Sequence, residues 1–104
     1  MPKTLRWLNS ALDELDSIHT FIANKDGLDR ADSVVAEIFK QVRALVHFPE
    51  RGHVVARLKP PHREIVIYSR YRLVYRITAD VITVAAVIDA SQRFQKAWRS
   101  RVRE

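Results

Sequence analysis

The chain has 104 residues, of which 18 are lysine or arginine and 12 are aspartate or glutamate, so its formal net charge is +6. This length suffices for one domain with one hydrophobic core. The chain contains no cysteine, which excludes disulfides, thiolate nucleophiles and cysteine-ligated zinc. The positive surplus favours an anionic partner such as nucleic acid, a nucleoprotein or an acidic protein, although many basic domains carry such charge only to remain soluble. No apolar run reaches the ~20 residues of a membrane span and no signal peptide is recognisable, so we expect a cytoplasmic protein.

A short strand and a first helix are predicted at the start of the chain. Lys3–Leu8 carries apolar side chains on one face and predicts the strand. Asn9 or Ser10 is expected to cap the helix, because Ser10, with Asp13 three residues later, has the spacing of a capping box. Gly27 is expected to end the helix, because glycine takes a positive φ freely. The buried face of the helix is predicted from the helical spacing of Ala11, Leu15, Ile18 and Ile22.

A second helix is predicted from about Asp29 to Phe48, where Pro49 and Gly52 then turn the chain. Because only a short loop separates the two helices, they are expected to lie antiparallel as a hairpin. The inner stripe of the second helix is predicted to consist of Ala31, Val35, Ile38, Val42 and Leu45.

The second half of the chain predicts an antiparallel sheet of about four strands, with tight turns at Ser69-Arg70 and at Thr78–Asp80. Val81–Ile88 is almost entirely apolar, which is typical of a central strand covered on both faces. In the strand Tyr71–Ile77, apolar and basic residues alternate, so one face belongs to a core and the other presents guanidinium groups. The apolar set is Tyr71, Leu73, Tyr75 and Ile77, and the basic set is Arg70, Arg72 and Arg76.

The last residues, RFQKAWRSRVRE, predict a short amphipathic basic helix. Two interpretations remain open: Phe94, Trp98 and Val102 dock on the sheet and the charges are solvated, or the helix contacts a target. For the second interpretation the candidate target-binding residues are Arg93, Lys96, Trp98, Arg99, Arg101 and Arg103.

Together, the predicted helices and strands indicate an α+β fold that forms a single domain over residues 1–104.

The element order, with YRLVYR in the middle strand, resembles the ParE/RelE superfamily of bacterial toxins from type II toxin–antitoxin systems. The residues that carry the resemblance are Ala11, Leu15, Ile18, Ile22 and Ala23 in the first helix, Ala31, Leu45, Pro49 and Gly52 in and after the second, and Arg63-Glu64 and Tyr71–Arg76 in the strands. The resemblance implies a cytoplasmic toxin held inactive by an antitoxin, in a heterotetramer or larger assembly. The antitoxin would lay a helix on the hairpin and add a strand to the sheet. RelE-like members cut messenger RNA on the ribosome, whereas ParE-like members act on DNA gyrase and block replication.

Cleavage of RNA by its 2′-hydroxyl requires proton transfer and cations for the phosphate. Arg72 matches the phosphate-stabilising arginine of RelE-like toxins, and under that alternative Arg63 and Arg93 would assist it as catalytic residues. Asp89 stands where many relatives carry histidine, and an ionised carboxylate there would repel phosphate. Arg72 also has a purely structural interpretation, as the ion-pair partner of Glu64 or Asp89.

The favoured interpretation is a ParE-like toxin that inhibits DNA gyrase by binding and uses no cofactor. No histidine pair has zinc-site spacing, so we expect no metal. The alternatives are a RelE-like, metal-independent endoribonuclease that acts on ribosome-bound messenger RNA, and an inactive basic binding module on the same scaffold. Candidate antitoxin-binding residues are Leu12, Phe39, Val46 and Phe48, which could instead belong to the core or to a homodimer face.

Overall fold

The computed structural model describes residues 3–90, and the predicted C-terminal basic helix lies outside them. The described chain is α+β, with two helices packed on one face of a five-stranded sheet. A single turn of 3-10 helix, Pro49–Arg51, precedes the second strand. In chain order the elements are β1 (Thr4–Trp7), α1 (Asn9–Asp26), α2 (Leu28–Ala44), β2 (His53–Val55), β3 (His62–Ile67), β4 (Tyr71–Thr78) and β5 (Val81–Asp89).

The strand order across the sheet is β1-β5-β4-β3-β2. Strands β2 to β5 pair antiparallel with their neighbours, as predicted. The expectation of about four antiparallel strands is corrected in one respect, because β1 pairs parallel with β5 as a fifth strand and makes the sheet mixed. A parallel pair needs a long crossover connection, and the helical hairpin together with β2 to β4 provides it.

The predicted capping box at the start of α1 is wrong. The helix begins at Asn9, directly after β1, with Leu8 in the N-cap position and no side-chain cap. The Leu8 N–H donates to the Val84 carbonyl of β5, while the Leu8 carbonyl accepts from the N–H of Leu12. The backbone therefore passes from strand to helix at one residue, and Ser10 already lies within the helix. At the other end Gly27, at φ 97°, separates α1 from α2 as predicted.

Helix α2 ends at Ala44, four residues before the predicted end at Phe48. The residue before a proline is disfavoured in the α region, and Phe48, before Pro49, has φ −130° and ψ 66°. The inner stripe is as predicted except that Val34 is buried while Val35 is half-buried at the margin of the core.

We call the side of the sheet that the helices cover the helix-side face, and the opposite side the far face. The main core lies between the helices and the helix-side face, where Tyr71, Leu73 and Tyr75 of β4 are buried. A second, smaller cluster lies on the far face and consists of Leu58, Val74, Ala86 and Ile88. Strand β5 contributes to both clusters, which confirms the prediction of a strand covered on both faces.

Candidate functional site

The far face carries the polar side chains Arg6, His53, His62, Glu64, Arg72, Arg76 and Thr83. Arg72 lies near its centre, and its cross-strand neighbours are Val66 on β3 and Ile88 on β5. Directly opposed side chains on adjacent strands lie within about 5 Å of each other at Cβ. Arg72 is therefore flanked by apolar side chains, and within residues 3–90 its side chain makes no hydrogen bond or ion pair.

Asp89 does not lie beside Arg72. It is paired in register with Tyr71, so its side chain belongs to the helix-side face, where it is 1% exposed. Its carboxylate accepts two hydrogen bonds from Arg70, Nε to Oδ1 at 3.0 Å and Nη2 to Oδ2 at 2.9 Å. The hydrogen bond to Asp89 is the largest cause that raises the pKa of Arg70 above its ordinary value. The structural interpretation of Arg72 as a partner of Glu64 or Asp89 is thus wrong, because Arg70 holds Asp89 and Arg72 pairs with neither.

Arg63 also belongs to the helix-side face, since it is paired in register with Tyr75. Its Nη1 donates to two backbone carbonyls, Glu50 at 3.1 Å and Gly52 at 2.8 Å. The structure therefore does not bring Arg63 and Arg72 together, and the third candidate, Arg93, lies outside the described residues with the rest of the predicted target-binding set. The alternation along β3 is consistent with this position of Arg63, because Arg63 lies on the same face of the strand as the buried Ile65 and Ile67.

Arg6 is a far-face residue that the sequence did not single out. In register, Arg6 of β1 and Arg76 of β4 both oppose Thr83 of β5, so the two arginines flank one buried threonine. The Nε atom of Arg76 is buried and makes no hydrogen bond to any residue between 3 and 90. No sequence pattern points to Arg6, because the pairing partner of β1 could not be predicted.

The four candidate antitoxin-binding residues differ in exposure. Phe48 is 68% exposed and Leu12 is 39% exposed. Phe39 packs against the core and lies 5.3 Å from Trp7 between ring centroids, while Val46 is half-buried. Phe48 lines an open cavity of about 560 Å³ together with His47, Pro49, Glu50 and Arg51.

The segment that carries Phe48, residues 45–52, is here called the Phe48 loop. The Tyr75 hydroxyl donates to the Pro49 carbonyl at 2.7 Å and accepts from the Gly52 N–H at 2.9 Å. Burial raises the pKa of Tyr75 above its ordinary value, so the hydroxyl keeps the proton that it donates. With the two bonds from Arg63, the loop is joined to the sheet at Pro49, Glu50 and Gly52.

The described residues contain no group of three or more side chains that could hold a metal ion. His19 is bonded to Asp32 at 2.8 Å, and His62 Nδ1 lies 2.7 Å from the Pro60 carbonyl oxygen. No helix within residues 3–90 is long and apolar enough to cross a membrane.

Residues 5–94 match the family model described as the ParE toxin of the type II toxin–antitoxin system, parDE. The chain belongs to the ParE toxin family. Membership in a toxin–antitoxin family implies that this ParE-family chain has an antitoxin as partner. None of the curated proteins compared with the chain matches it significantly.

Two solved structures show the same fold as this ParE-family chain. One is from the chromosomal ParDE toxin–antitoxin system of P. aeruginosa, with a TM-score of 0.73 and 20% identity over 84% of this chain and 95% of that one. The other is a variant of the E. coli toxin RelE in the free state, with a TM-score of 0.65 and 21% identity over 98% of this chain and 99% of that one. The fold is thus common to both branches, whereas the family model assigns the chain to ParE.

Proposed function

We propose that this chain is a ParE toxin that arrests growth by binding and inhibiting DNA gyrase, and that its antitoxin neutralises it by covering the surface around Phe48. The toxin acts by binding and not by cutting RNA. Its complex with the antitoxin is a heterotetramer or a larger assembly.

The observation that carries this proposal is the environment of Arg72. Val66 and Ile88 flank Arg72 on the far face, while Arg63 and Asp89 lie on the helix-side face and are held there by other contacts. A transferred proton needs a donor or acceptor within hydrogen-bond reach of the reacting atom. The described neighbours across both strands are aliphatic, which favours a binding surface. The family match to ParE supports the same choice.

The antitoxin contact is assigned to the exposed members of the candidate set, Phe48 and Leu12. Aromatic side chains that fill a partner's pocket are typical of binding hot spots. The chain's net charge of +6 favours an acidic segment on the antitoxin. The gyrase contact is assigned to the basic C-terminal segment, Arg93, Lys96, Trp98, Arg99, Arg101 and Arg103, on its sequence alone.

Expression of the chain without its antitoxin tests the proposal in cells. We expect growth arrest with filamentation and a DNA-damage response, while messenger RNA remains intact. Rapid loss of translated messages, abolished by Arg72→Ala, would contradict the proposal and indicate the ribonuclease. No growth arrest at a verified expression level would indicate the inactive binding module.

The C-terminal assignment has its own test. A variant that replaces Arg99, Arg101 and Arg103 by glutamine removes charge outside the described fold. We expect it to bind antitoxin as the parent chain does but to lose growth arrest. Full toxicity of this variant would overturn the gyrase-contact assignment and leave the antitoxin assignment intact.

A further inference from the structure

The four hydrogen bonds that join the Phe48 loop to the sheet bear on function as well as on stability. We propose that Tyr75 and Arg63 are positioning residues for antitoxin binding, which hold the loop so that Phe48 is presented to the antitoxin in a fixed place. The proposal rests on the proposed function, in which Phe48 contacts the antitoxin.

The contacts are specific to the loop backbone. Tyr75 binds the Pro49 carbonyl and the Gly52 N–H through one hydroxyl, and Arg63 binds the Glu50 and Gly52 carbonyls through one nitrogen. These backbone groups belong to the residues directly after Phe48. The two side chains thus fix the segment on which the exposed ring is mounted.

Gly52 brings the loop close enough for these bonds. A Cβ atom on Gly52 would lie 2.7 Å from the Tyr75 hydroxyl oxygen and 2.8 Å from the Glu64 carbonyl oxygen. Both distances are shorter than any normal contact of a Cβ atom, so a larger residue would displace the loop. The φ of Gly52 is −75°, which every residue can adopt, so glycine is required here for steric reasons and not for its backbone angle.

A loop held in its bound conformation binds more tightly than one that must first be ordered. If only a fraction of molecules has the competent conformation, the apparent dissociation constant rises by the inverse of that fraction. Phe48 is 68% exposed, so packing of its own ring does little to fix the loop. The Phe48 N–H is bonded to the Ala44 carbonyl, and the bonds from Tyr75 and Arg63 additionally fix the part of the loop that follows Phe48.

The test is a double-mutant cycle on affinity for the purified cognate antitoxin, which is identified as the protein whose co-expression restores growth to cells that express this chain. Phe48→Ala is expected to weaken binding by about 30-fold, as for a hot-spot aromatic. Tyr75→Phe removes only the hydroxyl and is expected to weaken binding by about tenfold, corresponding to a loop that is competent for about a tenth of the time. In the Phe48→Ala background, Tyr75→Phe should weaken antitoxin binding by less than about twofold, because the Tyr75 hydroxyl then has no Phe48 ring to position. Arg63→Met should behave as Tyr75→Phe does.

Two control variants separate positioning from general destabilisation. Tyr71→Phe makes the same chemical change on the same strand and face, but the Tyr71 hydroxyl makes no hydrogen bond within residues 3–90. Ile18→Val lowers stability from the core of α1, away from the loop. Both are expected to leave antitoxin affinity unchanged at a temperature where every variant is folded.

Each result is decisive. If Phe48→Ala binds as tightly as the parent, the proposed antitoxin contact fails and the positioning role fails with it. If Phe48→Ala weakens binding but Tyr75→Phe has no effect, or an equal effect in both backgrounds, only the positioning role is overturned.

Discussion

Replacing Arg70 by methionine should destabilise the fold more than any other single loss of charge among the described residues. The carboxylate of Asp89 is 1% exposed, and Arg70 supplies it with two charge-assisted hydrogen bonds. Methionine keeps much of the aliphatic stem of Arg70 but removes the two charge-assisted hydrogen bonds that Arg70 donates to the buried carboxylate. Arg70→Met therefore removes the positive charge while changing the packing of the side chain little.

Removing one partner of a buried ion pair costs about 3–5 kcal/mol, because the other charge remains buried. The Arg70 side chain is 36% exposed, so water can enter and partly replace it. We therefore expect Arg70→Met to lower the free energy of unfolding by about 2–3 kcal/mol. Asp89→Asn should cost less, about 1 kcal/mol, because the arginine that it leaves unpaired is already hydrated.

Urea denaturation at neutral pH measures both changes, and the double variant Arg70→Met/Asp89→Asn completes the cycle. The double variant should be more stable than Arg70→Met alone, since the buried charge that Arg70 balanced is then gone. If Arg70→Met lowered the free energy of unfolding by less than about 0.5 kcal/mol, the range of ordinary surface substitutions, the buried Asp89 carboxylate would not depend on Arg70. A larger loss for Asp89→Asn than for Arg70→Met would contradict the same dependence.

Three further predictions concern the glycines and the buried tyrosines. Gly52→Ala should lower the free energy of unfolding by about 1–3 kcal/mol through overpacking against Tyr75, and a neutral result in denaturant titration would show that the loop adapts freely. Gly27→Ala should lower the free energy of unfolding by about 1–3 kcal/mol through backbone strain alone, since Gly27 has φ 97° and ψ 160° and no atom lies within 4 Å of its Cβ position. The same denaturant titration measures this loss, and an unchanged midpoint would contradict it. Burial raises the pKa of Tyr71 and Tyr75, so the unfolded chain releases these protons first and stability should fall as pH rises above about 10. Thermal melts across that range that show no loss relative to Tyr71→Phe/Tyr75→Phe would contradict this.

The hydrophobic periodicity predicted the elements and most of their faces. The alternation in β4 placed Arg72 on the far face and Tyr75 in the core, and both positions are as expected. The two helices were predicted from their stripes, because packing of an apolar face decides a helix more than its caps do. The cap at Ser10 and the helix end at Phe48 depend on local backbone bonds, and there the prediction was wrong.

The position of Asp89 could not be predicted, because β5 contains a bulge. Val74 opposes Ala86 while Tyr75 opposes Val84, so Ala85 is an extra residue on β5. One extra residue reverses the alternation of all that follows. Ile82 and Val84, before the bulge, are even-numbered and face the helices. After the bulge the odd-numbered residues face the helices, and Asp89 is one of them.

The turn between β3 and β4 carried only a weak signal. The sequence predicted it at Ser69-Arg70, whereas its central residues are Tyr68 and Ser69, with φ of 57° and 55°. Such a turn normally contains Asn-Gly or Asp-Gly, whereas here the two central residues are Tyr68 and Ser69. The tertiary pairing of the two strands imposes the turn, and pairing across a sheet is not readable from neighbouring residues.

We propose that this toxin binds gyrase and cuts no RNA. The decisive experiment adds the purified chain to a DNA supercoiling reaction with purified gyrase, and in parallel to ribosomes engaged on messenger RNA. We expect loss of supercoiling, reversed by the antitoxin, with the messenger RNA intact. Unimpaired gyrase beside cleaved messenger RNA would contradict it.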